Sequence, residues 1–270
     1  MTSKSLGTAL ITGASTGLGA VYADRLARRG HDLILVARDG ARMEALAQNL
    51  RAETGCSVEV MPADLTDLGD VSRIADRLGS DASITMLVNN AGMSLNGGLL
   101  DNGPEALVQL IALNMTAPTL LAAAAGRAFV ARRGGTIVNI ASVLALAPER
   151  FDGVYSGSKA YILNLSLSLA ETVKASGVHV QAVLPGATRT EIWARSGKDI
   201  DSFPAAIVME AGDLVDAALV GLDKGETVTI PPLANDEQWT AYTEARLAMG
   251  PNLSRREVAE RYRVPAQQVV

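Results

Sequence analysis

Thr8-Ala9-Leu10-Ile11-Thr12 is a short apolar, β-branched run, and Gly13-Ala14-Ser15-Thr16-Gly17-Leu18-Gly19 follows it without a break. Leu18, Val21, Tyr22 and Leu26 then recur at helical spacing until Arg28-Arg29-Gly30, where basic residues and a glycine close the helix. A strand that turns through glycines straight into a helix leaves backbone N–H groups pointing outward at the helix N-terminus. The helix dipole there favours a pyrophosphate, and glycine lets it approach closely. This opening predicts a dinucleotide-binding βα unit and constrains everything downstream, because such a unit needs parallel partners.

The partners follow in register. Residues 32–37 read as the second strand, Met43, Leu46 and Leu50 mark a helix, and residues 58–61 are the third strand. A helix over 67–78 leads to a fourth strand at 84–88. Strands at 136–140 and 178–184 come later, with helices between. Strand–helix alternation without an internal repeat or low-complexity linker predicts a single-domain α/β Rossmann fold: a doubly wound parallel sheet with helices on both faces.

The end of the second strand bears on the cofactor. A dinucleotide fold commonly presents an acid there to hold the ribose 2′-hydroxyl, whereas an arginine accommodates the 2′-phosphate of NADP. Arg38 is the first residue past the strand and Asp39 stands beside it. NADP(H) is therefore the expected cofactor, with NAD(H) left open by Asp39.

A second informative stretch runs over residues 136–160. Ser142 lies just past the strand Thr136-Ile137-Val138-Asn139-Ile140, at the sheet edge where open α/β folds bind ligands. Tyr155 and Lys159 fall one turn apart on one face of the helix that follows, which is expected to run to about Ala175. A hydroxyl, a phenol and an ammonium are thereby brought toward one cleft.

Composition removes other classes. The 270 residues are 48% hydrophobic and carry a net charge of −5, and the arginine pairs at 28–29, 132–133 and 255–256 form no phosphate-tracking stripe. Nucleic acid is not an expected partner. Cys56 stands alone, and His31 and His179 lie far from other ligands, so no metal site is expected. No signal-peptide pattern precedes Gly13, which points to the cytoplasm. Residues 106–126 carry no charge and raise the question of a membrane span. Gln109, Asn114, Thr116, Pro118 and Thr119 within them favour a helix buried on more than one side, in contact with a second subunit. Asn102 with Glu105 reads as the capping pair that opens it.

Taken together, these motifs resemble the classical branch of the short-chain dehydrogenase/reductase family, from about Thr8 to Ile230. The glycine turn fits the family's Thr-Gly-x-x-x-Gly-x-Gly form. Asp64 matches its adenine-contacting aspartate, and Asn89-Asn90-Ala91-Gly92 matches the motif that steadies the sheet centre. Asn114, Ser142, Tyr155 and Lys159 match its catalytic tetrad. The cofactor surface implied by the resemblance comprises Gly13, Ser15, Thr16, Gly17, Leu18 and Gly19, then Arg38, Asp64 and Leu65. It continues over Asn90, Ala91 and Gly92, Tyr155 and Lys159, and Pro185, Gly186, Thr188 and Thr190.

Such a site implies reduction of a ketone or aldehyde, or oxidation of an alcohol, with Tyr155 as general acid/base. Lys159 is expected to bond the nicotinamide ribose, Ser142 to hold the substrate oxygen, and Asn114 to place a water in the proton relay. A free phenol has a pKa of about 10, and drawing it toward 7 takes about 4 kcal/mol from nearby cations. Met93, Leu95, Val143, Leu144, Phe151, Ile192 and Trp193 predict a largely apolar substrate cleft under a lid at about 187–210. Two alternatives stand beside this reading: a reductase of 3-oxoacyl thioesters on a carrier protein, and a non-catalytic NADP(H)-sensing regulator. The expected assembly is a homodimer or homotetramer. Residues 231–270 are expected to form a helical extension, with Asn235/Gln238 and Ser254/Glu257 as helix starts and Trp239, Tyr242 and Leu247 available for packing.

Overall fold

A computed structural model describes residues 6–151 and 153–263, and the chain falls into two compact units that divide after Pro232. In the first, seven parallel strands lie in the order β3-β2-β1-β4-β5-β6-β9. They are β1 (Thr8–Thr12), β2 (Asp32–Ala37), β3 (Val58–Pro62), β4 (Ile84–Asn89), β5 (Gly135–Ile140), β6 (Val178–Val183) and β9 (Val228–Thr229). Strand side chains alternate between two cores, as a sheet covered on both faces requires. Ala9, Ile11, Leu33 and Leu35 pack with helices α1 (Gly17–Arg28), α2 (Gly40–Thr54) and α8 (Ala211–Asp223). Leu10, Ile34 and Val36 pack on the other side with α3 (Leu68–Ser80), α5 (Ala117–Arg132) and the end of α6 (Gly153–Val173). The strand order reverses between β1 and β4, and the crevice at that switch is where ligands of such sheets bind.

The charge-free segment differs in detail from its sequence reading. Helix α4 (Pro104–Ile111) starts on Pro104 after Gly103, with no side-chain cap. Asn102 instead donates to the carbonyls of Asn96 (2.9 Å) and Gly98 (2.8 Å). Proline at the helix start lacks one of the N–H groups otherwise left unsatisfied there, and its fixed φ is preset for the helix. A π-helical turn, Ala112–Thr116, joins α4 to α5. The run Pro104–Arg132 is long and apolar enough to cross a membrane by length and composition. Here α5 lays Leu121, Ala125 and Phe129 on the sheet, against Val71, Ile74 and Leu78 of α3.

The lid region carries a short two-stranded sheet, β7 (Thr188–Arg189) with β8 (Met209–Glu210), and one helical turn, α7 (Ile192–Arg195). In the second unit α9 (Glu237–Ala248) begins after Asp236 without a side-chain cap, and Trp239 and Tyr242 stack within it (5.4 Å). Among the described residues Ser254 opens no α-helix, and a 3₁₀ turn at Glu260–Tyr262 follows. Arg255, Arg256, Glu257, Glu260, Arg261 and Arg263 crowd that segment with charge, and its apolar Val258 and Tyr262 stay exposed rather than packing a helix face.

Candidate active site

Each central strand delivers its functional residues from its C-terminal end, so they meet along one edge. The cleft there has a volume of about 760 Å³. Small-molecule sites span roughly 300–1,000 Å³, so this one suits an extended ligand.

The glycine turn after β1 is built for close approach. Gly13 holds φ 66° and Gly17 φ 55°, both in the left-handed region. A Cβ at Gly13 would lie 2.8 Å from the Asn90 amide and 2.9 Å from Ala91 Cα, and one at Gly19 would strike the Gly13 carbonyl. Thr16 precedes α1 with no side-chain cap, and no acid lies in the first turn. The first N–H groups of α1 are therefore left for an anionic ligand. The turn is braced from β4. Asn90 and Ala91 N–H both donate to Thr12 Oγ1 (3.0 Å), and the Asn90 amide donates to the Thr12 carbonyl (2.9 Å).

After β2, Arg38 and Asp39 differ in availability. Asp39 caps α2 by accepting from Arg42 N (3.0 Å) and pairs with the Arg42 guanidinium (3.5 Å). Arg38 is exposed on the cleft and makes no ion pair among the described residues. Asp64 lies below its usual carboxylate range, chiefly because the Thr66 N–H bonds it, with the Arg38 charge also contributing.

Ser142, Tyr155 and Lys159 converge as their sequence positions imply. Ser142 accepts from Leu144 N (3.1 Å) and hydrogen-bonds the Tyr155 hydroxyl. Lys159, only 6% exposed, donates to the Ile140 carbonyl (2.9 Å), with its ammonium 5.6 Å from the Tyr155 ring centre. The charges do not behave as expected for a phenol drawn below 10. Tyr155 keeps part of its surface on the cleft, yet burial pushes it up to about 12, with the Ser142 bond pulling the other way. Burial also pushes the Lys159 ammonium down to about 8. Desolvation penalises both charged forms, and burial is the largest influence on each of the two groups. The phenol is therefore protonated at neutral pH and poised to donate.

Asn114 lies in the π turn and is 2% exposed. Its carbonyl accepts from Met93 N and its amide donates to Met93 O (both 2.9 Å) and to Ser158 Oγ (3.2 Å). The side chain thus ties the loop after β4 to α6. A Cβ on Gly92 would sit 3.4 Å from the Asn114 carbonyl oxygen and 3.5 Å from the Lys159 nitrogen, so the two groups flank one backbone position.

The cleft is less uniformly apolar than the sequence suggests. Met93, Ile192 and Trp193 line it, but so do Ser94 and Gln109. Leu95 is buried in the core. Val143 and Leu144 form the 3₁₀ turn after Ser142, and Phe151 stands behind Trp193. Pro185, Gly186, Thr188 and Thr190 form the edge after β6. Sequence reasoning missed the clasp above them. Glu191 accepts from Arg42 (3.0 Å) and Arg195 (2.7 Å), and Arg195 also reaches Thr16 Oγ1 (3.2 Å). Nothing local pairs residues 42 and 191.

The sequence model for short chain dehydrogenase matches residues 7–201. The fold superposes on a short-chain dehydrogenase from Sphingobium yanoikuyae in complex with NADPH at a TM-score of 0.93. Identity is 51%, and the match covers 96% of this chain and all of that one. A bulky-bulky ketone specific alcohol dehydrogenase from Comamonas testosteroni gives a TM-score of 0.89 and 45% identity, covering 96% and 99%. Among curated proteins, 17-beta-hydroxysteroid dehydrogenase type 3 of Homo sapiens is 36% identical over 186 residues. That alignment takes in 67% of this chain and 59% of the human protein's length.

Proposed function

This chain belongs to the short-chain dehydrogenase family, and we propose that it is an NADP(H)-dependent reductase of ketones carrying sizeable groups on both sides of the carbonyl. The observation that carries the reading is the Ser142–Tyr155 hydrogen bond beside the buried Lys159, opening onto the crevice at the switch point. The neighbour from Comamonas supports the substrate size.

The residues divide the work. The cofactor, when bound, supplies or accepts the hydride. Ser142 holds the carbonyl oxygen, and Tyr155 donates its proton to that oxygen as negative charge develops. Lys159 orients the ribose and lends its charge to the phenolate left behind. Asn114 fixes Met93 and Ser158 and so keeps the loop after β4 in register with α6. The test is a screen of ketones and alcohols with NADPH, NADH and their oxidised forms, following absorbance of the reduced nicotinamide. Absence of turnover on every bulky ketone would sink the substrate reading.

Arg38 is the proposed 2′-phosphate contact, because Asp39 is committed to capping α2. A charge-assisted arginine–phosphate bond contributes roughly 1.5–3 kcal/mol, so Arg38→Ala should weaken NADPH binding about 10- to 100-fold and leave NADH within about twofold. Fluorescence titration of both cofactors checks this. An equal loss for both would assign Arg38 a structural role instead.

A homodimer or homotetramer through α4, α5 and α6 is also proposed. Val108, Ile111 and Leu120 are exposed there, beside a shallow groove that Met115, Thr119 and Tyr161 help to line. Such an apolar patch favours a partner. Light scattering at micromolar concentration should report at least twice the 28.1 kDa chain mass. A monomer would remove the argument.

A further inference from the structure

The chain contains only three phenylalanines, two tryptophans and five tyrosines in 270 residues. Four of these rings nevertheless gather at the substrate end of the cleft. Phe151 sets its ring edge-on to Tyr155 (5.6 Å) and T-shaped to Trp193 (6.3 Å), and Trp193 tilts onto Phe203 (5.0 Å). They come from the turn before α6, from α6, from α7 and from the lid segment beyond it.

Tyr155 and Trp193 line the cleft, while Phe151 and Phe203 support Trp193. The indole N–H donates to the Thr188 carbonyl (2.8 Å), which fixes the plane of the ring. Lys198 secures the arrangement, with its ammonium 3.8 Å above the Phe151 ring and bonded to the Leu95 carbonyl (3.1 Å). Trp193 keeps part of its surface on the cleft beside the proton donor. Its orientation is settled before any substrate arrives, so little ordering cost remains on binding.

We propose that Trp193 is a platform for an aromatic ring of the substrate, which makes aryl ketones the preferred class. This deepens the reading above and rests on it. Aromatic pairs gain from ring–ring geometry beyond the area they bury, which corresponds to roughly a twofold to tenfold preference.

The test compares kcat/KM with NADPH for 1-phenyl-1-butanone and 1-cyclohexyl-1-butanone, which have the same reach. Intrinsic reactivity differs between the two ketones, so the readout is the change in their ratio between variants. Trp193→Leu and Trp193→Met should lower the aryl preference about twofold to tenfold, and Trp193→Phe should retain most of it. NADPH affinity, measured by fluorescence, should stay at the wild-type value in all three and shows which variants are folded. One folded non-aromatic variant suffices for the comparison. An unchanged ratio in it overturns the platform while leaving the ketone reductase reading intact. If the wild type reduces neither ketone, the underlying function fails and the platform with it.

Discussion

Tyr155→Phe is expected to lower kcat for ketone reduction at least about 100-fold, while NADPH binds nearly as tightly as to the wild type. The substitution removes one hydroxyl and keeps the ring, so the edge contact with Phe151 survives. What is lost is the proton donor. Ser142 also loses its bond to the phenol but keeps the one from Leu144 N, so its hydroxyl stays anchored. Burial holds the phenol of the cofactor-free protein up to about 12, which makes it a donor throughout neutral pH. Alcohol oxidation runs the proton step backwards and needs the phenolate, so its wild-type rate should rise with pH. Single-turnover and steady-state assays of both directions separate these effects. Near-wild-type turnover by Tyr155→Phe on a ketone the wild type reduces would mean that another group protonates the oxygen.

Lys159→Met is expected to do two opposite things. Activity should fall by orders of magnitude and NADPH binding should weaken, because the ammonium is proposed to serve both the ribose and the phenolate. Stability near neutral pH should increase. Folding brings this lysine from an ordinary value of about 10.4 to about 8, so between those values the unfolded chain binds more protons and wild-type stability rises with pH. Below pH 8 the whole penalty is present, roughly 3 kcal/mol. Methionine fills similar volume without the charge. It leaves the buried Ile140 carbonyl without its lysine donor, a loss of about 1–3 kcal/mol, so a net gain of up to about 2 kcal/mol is expected at pH 7. Urea melts at pH 7 and pH 10 should show the advantage of the variant shrinking at the higher pH. A variant less stable than the wild type at pH 7 would show that the ammonium is better compensated than its surroundings indicate.

The parallel order of the strands, the glycine turn and the positions of Ser142, Tyr155 and Lys159 were legible in the chain because each rests on short-range information. Alternating and 3.6-residue periods locate strands and helices, glycines mark a left-handed turn, and residues four apart on a helix share a face. The false helix starts at Asn102 and Ser254 came from the same kind of evidence. There Pro104 and a run of charges outweighed a local capping pattern.

Tertiary structure decided what depends on distant partners and on solvent. The sequence favours Arg38 but leaves Asp39 open, and the cap on Arg42 N is what occupies the acid. The phenol and ammonium are adjacent by spacing, but the direction of their pKa shifts follows from how much protein surrounds them. Glu191 meets Arg42 across 149 residues, and Phe151, Trp193 and Phe203 share no periodicity that joins them. Those contacts exist because residues 187–210 fold back beside the cleft edge. That path is set by packing and charge pairing over the whole fold, and no local stretch of the chain contains it.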